Sequence, residues 1–136
     1  MSLERFRQES ERWLAQARAD LKAAEASAAA GSYEWACFQS QQAAEKALKA
    51  FWFLHAYDPW GHSLVRLIQD YPDDTLRAEL MPFLRHAKQL DKLYIPTRYP
   101  SGLPDMIPAD VFTDEDAVSA IATAREVIDG IAAKLS

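Results

Sequence analysis

The sequence of 136 residues contains one cysteine, four glycines and no long apolar run. The single Cys37 has no partner for a disulfide within the chain, and residues 1–8 lack a signal-peptide pattern, so we expect a reducing, cytoplasmic environment. No apolar run approaches the roughly 20 residues that span a bilayer, so no membrane association is expected. The net charge of −5 argues against a protein that coats nucleic acid through general positive charge, but it is compatible with a local basic groove.

Several familiar site motifs are also missing. The sequence has neither the G-x-x-x-x-G-K-[ST] phosphate loop nor the G-x-G-x-x-G turn of dinucleotide-binding folds. The histidines at positions 55, 62 and 86 are not paired on one helix face, and there is no HExxH motif. No G-x-S-x-G elbow supports a serine nucleophile. We therefore expect no metal, no cofactor and no catalytic residue of these classes.

The remaining pattern predicts one all-α domain over residues 1–136. Its length suits a single domain that buries roughly two thirds of its unfolded surface. Apolar residues recur at helical spacings between turn signals. The predicted fold is an up-and-down antiparallel bundle of four to five helices with a proline-rich loop before the last helix. The predicted helices are 3–30, 32–57, 62–70, about 73–94 and about 114–134.

Local residues refine these boundaries. Gly31 is placed to end the first helix, and the short connection after it favours an antiparallel hairpin. Pro82 lies inside the fourth helical pattern and should kink or split that helix, because it lacks a backbone donor. The proline-rich loop covers residues 95–112. Thr113 and Asp116 resemble a capping box at the start of the last helix.

Two lysines of the second helix are candidate phosphate ligands. Gln42, Lys46 and Lys49 share one side of the helix at spacings of four and three, and lysines there can bind phosphate as point charges. The alternative, which spacing alone favours, is a solvated face with a Glu45–Lys49 ion pair at i,i+4.

A histidine and an arginine lie in connecting segments. His62 precedes a predicted helix start, where backbone N–H groups attract anions; a structural role as a cap or a bridge to a neighbouring element is the favoured alternative. Arg98 lies between Tyr94 and Tyr99 in the proline-rich loop. It suits gripping a phosphate while Tyr99 stacks on a base, and equally suits tying the loop to helix ends.

The first two helices carry more aromatic residues than one buried stripe needs. Some of these rings should be exposed in a monomer, and an exposed apolar patch usually marks a partner surface. We therefore predict a homodimer built largely on the first two helices. The residues that contribute are Trp13, Trp35, Phe38, Phe51, Trp52 and Phe53.

Five segments of the sequence carry a family likeness: residues 13–24, 31–33, 41–50 (QQAAEKALKA), 61–64 (GHSL) and 97–100 (TRYP). Together they resemble the small stand-alone HEPN-domain proteins of bacteria and archaea, along nearly the whole chain. The resemblance implies a helical bundle that dimerises, and an association with a separately encoded small nucleotidyltransferase, with a toxin–antitoxin-like pair as one arrangement. It also implies a nucleotide or substrate ligand.

Other HEPN proteins are metal-independent ribonucleases, whose chemistry relies on an Arg followed by a His after four to six residues. This sequence departs from that pattern, because no Arg has a His at that spacing and Leu103–Asp105 follow Arg98 instead. The predicted function is therefore a non-catalytic nucleotide- or substrate-binding module. The alternatives are a ribonuclease with a degenerate site, using His62 and Arg98 on RNA, and a pure dimerisation or protein-interaction module. The predicted binding residues are Lys46, Lys49, His62, Arg98 and Tyr99.

Overall fold

The computed structural model of the protein describes residues 2–136, and all of the regular secondary structure in that range is helical. The predicted all-α bundle is confirmed. Single 3-10 turns occupy Met81–Phe83 and Pro100–Gly102. The helices are α1 Leu3–Ala29, α2 Tyr33–Leu54, α3 Leu64–Gln69, α4 Asp74–Leu80, α5 Leu84–Asp91, α6 Pro108–Val111 and α7 Asp114–Leu135.

Helix α2 is the central element of the bundle. It packs most extensively against α1, next against α7, and at its flanks against α3, α5 and α6. The α1–α2 hairpin turns at Gly31, whose positive φ of 82° is the left-handed conformation that glycine tolerates best. Because neighbours surround α2, all but one of its residues from 43 to 52 are buried; Lys46 is the partly exposed one.

The predicted fourth helix is split at Pro82, as expected. Asp73 caps its first part, α4, by accepting a hydrogen bond from the backbone N–H of Leu76 at 2.9 Å. The 3-10 turn at Met81–Phe83 then redirects the chain into α5. This turn brings the Phe83 ring against Gly130 of α7, where a Cβ atom would overlap the ring.

The last helix begins at the predicted capping box. The Thr113 hydroxyl accepts from the backbone N–H of Asp116 at 3.2 Å, and the Asp116 carboxylate accepts from the Thr113 N–H at 2.9 Å. The proline-rich segment before it is an ordered connection that includes α6. Within residues 2–136, none of the helices is both long enough and apolar enough to cross a bilayer.

Candidate functional site

The Glu45–Lys49 pair of α2 lies inside the protein. The Lys49 Nζ is 3.2 Å from the Glu45 Oε2, and the two residues are only 8% and 3% exposed. Trp13 of α1 covers the lysine, with the Nζ 5.7 Å from its ring centroid. The predicted i,i+4 pair is present, but the solvated face is wrong for these two residues, because α1 and the segment after α2 cover them.

His62 bridges three parts of the chain. Its Nδ1 lies 3.4 Å from the Glu45 Oε1, and its backbone carbonyl accepts a hydrogen bond from the Gln41 Nε2 at 3.0 Å. Its ring stacks on Tyr94 with a centroid distance of 5.2 Å and an interplanar angle of 18°. His62 therefore has the bridging role that was weighed for it, and its half-exposed ring still faces solvent.

The N-terminus of α3 is occupied by a carboxylate of the chain itself. Asp91, the last residue of α5, accepts hydrogen bonds from the backbone N–H groups of Leu64 at 2.8 Å and Val65 at 3.0 Å, and from the Ser63 hydroxyl at 2.8 Å. An aspartate in this position satisfies the free N–H groups and matches the helix dipole. The start of α3 is therefore filled and is not an open anion site.

Arg98 is held by aromatic rings. Its guanidinium carbon lies 4.4 Å from the ring centroid of Phe38, 4.5 Å from Tyr94 and 5.1 Å from Tyr99. Its Nε donates to the backbone carbonyl of Tyr94 at 2.8 Å. We call these four residues, Arg98, Phe38, Tyr94 and Tyr99, the Arg98 cage.

The Arg98 cage has no acidic member. Among residues 2–136, no carboxylate lies within 4.0 Å of the Arg98 guanidinium, and its two terminal nitrogens make no hydrogen bond to the described chain. Arg98 as a whole is partly buried, and Tyr99 is 50% exposed. A positive charge with unused donors thus stands beside an accessible ring.

Lys46 points to a different part of the surface. It forms an ion pair with Asp20 of α1 and lines an open groove with Trp13 and Gln16. The structure therefore brings His62 and Arg98 together at Tyr94, and Tyr99 joins them through its contact with Arg98. Lys49 is connected to this group only through Glu45, and Lys46 belongs to the α1 side.

Cys37 of α2 is a buried free thiol. Burial, with smaller contributions from Asp116 and Glu34, raises the pKa of the Cys37 thiol to about 12. The thiol is therefore neutral near pH 7 and unreactive, since the thiolate is the nucleophile. Within the described chain, no group of three His, Cys, Asp or Glu side chains is placed to hold a metal ion.

Four residues of this region were not singled out as site residues from the sequence. The contact between Tyr94 and Arg98 could have been predicted, because Tyr94 lies four residues before Arg98 in the sequence. Three residues make contacts that are distant in sequence: Phe38 with Arg98, Glu45 with His62, and Asp91 with the start of α3. No local pattern predicts such contacts, because they depend on how the helices pack.

Comparisons with known proteins give a consistent result. The model of the HEPN domain matches residues 10–134. The crystal structure of TT1696 from Thermus thermophilus is similar at 38% identity and a TM-score of 0.84, over 93% of this chain and 98% of that one. No curated protein matches the sequence significantly.

Two further solved structures are similar over nearly their whole length. ST0689, described as an archaeal HEPN homologue, is 34% identical with a TM-score of 0.77, over 94% of this chain and 98% of that one. The HEPN domain protein tm0613 from Thermotoga maritima is 28% identical with a TM-score of 0.67, over 91% of this chain and 97% of that one.

Proposed function

Because the chain belongs to the HEPN domain family, we propose that it is a non-catalytic module that binds a nucleotide, or a substrate that carries one. We further propose that it acts as a homodimer with a separately encoded small nucleotidyltransferase, in a toxin–antitoxin-like pair or a related arrangement. The family supplies the expectation of a dimer and of this partner. The Arg98 cage supplies the binding chemistry.

The observation that carries the proposal is the unneutralised charge of Arg98. A guanidinium with two free terminal nitrogens can bind a phosphate through two parallel hydrogen bonds. The neighbouring Tyr99 ring is half-exposed and offers a face on which a base can stack. In contrast, Lys49 is already paired with Glu45, and Lys46 with Asp20. We therefore assign the phosphate chiefly to Arg98, with His62 at the edge of the same surface.

Isothermal titration with ATP and AMP tests this assignment. We expect binding by the wild type and a loss of at least about tenfold in affinity in Arg98→Ala, because hydrogen bonds to charged groups contribute about 1.5–3 kcal/mol. Arg98→Lys should recover only part of the affinity, since lysine lacks the planar fork. Arg85→Ala is the matched control, because Arg85 is an exposed arginine of α5 outside the cage. No heat at about millimolar nucleotide would overturn the proposal.

The proposed dimer is supported by one exposed ring beside the cage, Trp35; of the other five aromatic residues named for it, Phe51 and Trp52 are buried and the rest are partly buried. Trp35 of α2 is 48% exposed and packs edge-to-face against Phe38. Sedimentation at micromolar concentration tests the dimer, and a monomer there would contradict it. Trp35→Ala should weaken association if this face is buried between subunits. If the dimer persists while no nucleotide binds, the chain is a pure dimerisation or interaction module.

The partner is tested separately. A small nucleotidyltransferase encoded in the neighbouring reading frame should co-purify with this chain when the two are expressed together. The absence of such a reading frame, or failure of the two proteins to associate, would remove this part of the proposal and leave nucleotide binding standing.

One observation favours a ribonuclease with a degenerate site as the second candidate. His62 stacks on Tyr94, and Arg98 lies over the same ring, so a histidine and an arginine share one neighbour although their sequence spacing differs from the family motif. If this pair cleaves RNA, His62→Ala and Arg98→Ala should each abolish cleavage. Wild-type protein that leaves RNA intact would remove this candidate.

A further inference from the structure

A pocket of about 350 Å³ adjoins His62 but includes no member of the Arg98 cage. Trp52, Trp60 and Arg66 are among its lining residues, and we call it the two-tryptophan pocket. Its volume falls within the roughly 300–1,000 Å³ of small-molecule sites. The cavity is therefore large enough for a small-molecule ligand.

The two indole rings of the pocket differ in how they are held. Trp52 of α2 is 6% exposed, and its Nε1 donates to the backbone carbonyl of Leu67 at 2.9 Å, which fixes the ring as a rigid wall. Trp60 is 83% exposed and has no aromatic neighbour within residues 2–136. The adjacent Gly61 has a φ of 86°, so this turn is specified by the backbone. The pocket thus combines a fixed indole with one whose faces are free.

The charge at the rim comes from α3. Within residues 2–136, Arg66 forms an ion pair only with Asp70, which also lines the pocket, at 3.3 Å, and both side chains are largely exposed. Such an exposed i,i+4 pair contributes little to stability, so the guanidinium can turn to a stronger anion. His62 is a further ring-nitrogen donor or acceptor on the rim. Arg66 is therefore the pocket's available cation, and it stands on the same short helix as the Leu67 carbonyl that fixes Trp52.

We propose that the two-tryptophan pocket binds a planar aromatic ring that carries a negatively charged group. The ring stacks on Trp60 against the Trp52 wall, and the anion bonds to Arg66. This chemistry is shared by nucleoside monophosphates and aromatic carboxylates. The site goes beyond the proposed function, because it uses none of the residues of the Arg98 cage and shares only His62 with the surface proposed there.

The four tryptophans allow the site to be located directly. In protein labelled with 5-fluorotryptophan, ¹⁹F NMR reports Trp52 and Trp60 in this pocket, Trp35 beside the Arg98 cage, and Trp13 near Lys49. The probes are AMP, indole-3-acetate, adenosine and inorganic phosphate. The first two carry both ring and charge, and the last two carry only one of them.

We expect AMP or indole-3-acetate to shift the Trp52 and Trp60 signals saturably below about 1 mM. Adenosine and phosphate should bind at least about fivefold more weakly. Trp60→Ala, monitored through the Trp52 signal, should weaken binding of AMP and indole-3-acetate by at least about fivefold, since stacking on an aromatic ring is a substantial part of such binding. Arg66→Ala should weaken the charged ligands and leave adenosine unchanged. Arg85→Ala is the control for lost surface charge.

The outcomes separate this site from the cage. Shifts confined to Trp35 would overturn the pocket and support the Arg98 assignment. Shifts at Trp60 that persist in Arg98→Ala but weaken in Arg66→Ala would support the pocket whatever happens at the cage. No saturable shift at Trp60 with either charged ring ligand, or equal affinity for AMP and adenosine, would refute the proposal.

Discussion

Replacing Glu45 by Gln should destabilise the protein by about 2–3 kcal/mol. The carboxylate is 3% exposed and contacts both the Lys49 ammonium and the His62 ring. Removing one partner of a buried ion pair costs about 3–5 kcal/mol, because the other charge stays buried without compensation. The amide oxygen of glutamine can still accept one hydrogen bond, and Trp13 still faces Lys49. Both effects place the cost at or below the lower end of that range.

If the Glu45–Lys49 pair were solvated, Glu45→Gln would cost much less. The change in the free energy of unfolding therefore decides whether the pair is buried or solvated. An exposed i,i+4 pair contributes about 0.3–0.5 kcal/mol. Glutamate and glutamine have similar helix propensities, so the change in α2 itself nearly cancels. Urea denaturation, monitored by circular dichroism near pH 7, gives the free energy of unfolding. Glu25→Gln is the matched control, because Glu25 pairs with Arg125 at the exposed surface between α1 and α7.

The double variant Glu45→Leu/Lys49→Met sharpens the test. It removes both charges and fills their volume, so it should be clearly more stable than Glu45→Gln and close to the wild type. If Glu45→Gln loses less than about 1 kcal/mol and matches Glu25→Gln, the burial of this pair has no energetic consequence and the reasoning fails.

Three further predictions concern groups outside the site. Cys37 should resist alkylation near pH 8 in the folded protein and react after unfolding, because burial raises its pKa to about 12; fast native labelling would contradict this. Burial lowers the pKa of His55 from its ordinary 6.5, so the folded state binds fewer protons than the unfolded state below that value. The free energy of unfolding should therefore fall as pH drops through about 6.5, and His55→Gln should flatten that fall in urea titrations. Thr113→Ala should cost about 1 kcal/mol in the same assay, and an unchanged midpoint would show that the capping box is dispensable.

The helices were predictable because their signals are local. Gly31, Pro82 and Thr113 act through backbone conformation, a missing donor and a cap, each within a few residues of its own position. These residues set where α1 ends, where α4 gives way to α5, and where α7 begins. Helical periodicity then supplied the elements between them.

The environment of α2 was not predictable in the same way. Periodicity identifies the face that is most apolar, but it does not show how many neighbours a helix has. Helix α2 is enclosed on several sides, so Glu45 and Lys49 are buried although they lie off the apolar stripe. The same limit applies to Asp91, which caps α3 from 27 residues away in the sequence.

The charges of the site explain why Arg98 should separate binding from stability. Each of the other positive features of this region is matched by a carboxylate of the chain: Lys46 by Asp20, Lys49 by Glu45, and the start of α3 by Asp91. Within residues 2–136, Arg98 is matched by uncharged groups: ring faces, which contribute about 0.5–2 kcal/mol to holding a cation, and the Tyr94 carbonyl, which accepts from its Nε.

We therefore expect opposite profiles from two variants. Arg98→Ala should lose nucleotide binding and cost only about 1–2 kcal/mol of stability, because ring contacts and one hydrogen bond are lost but no buried charge is left unpaired. Lys49→Ala should unfold at a clearly lower concentration, because it leaves the Glu45 carboxylate buried alone, yet bind nucleotide with nearly unchanged affinity while folded. If Lys49→Ala loses binding as completely as Arg98→Ala, the buried lysine takes part in holding the ligand. Arg98 would then not be the principal anion-binding group.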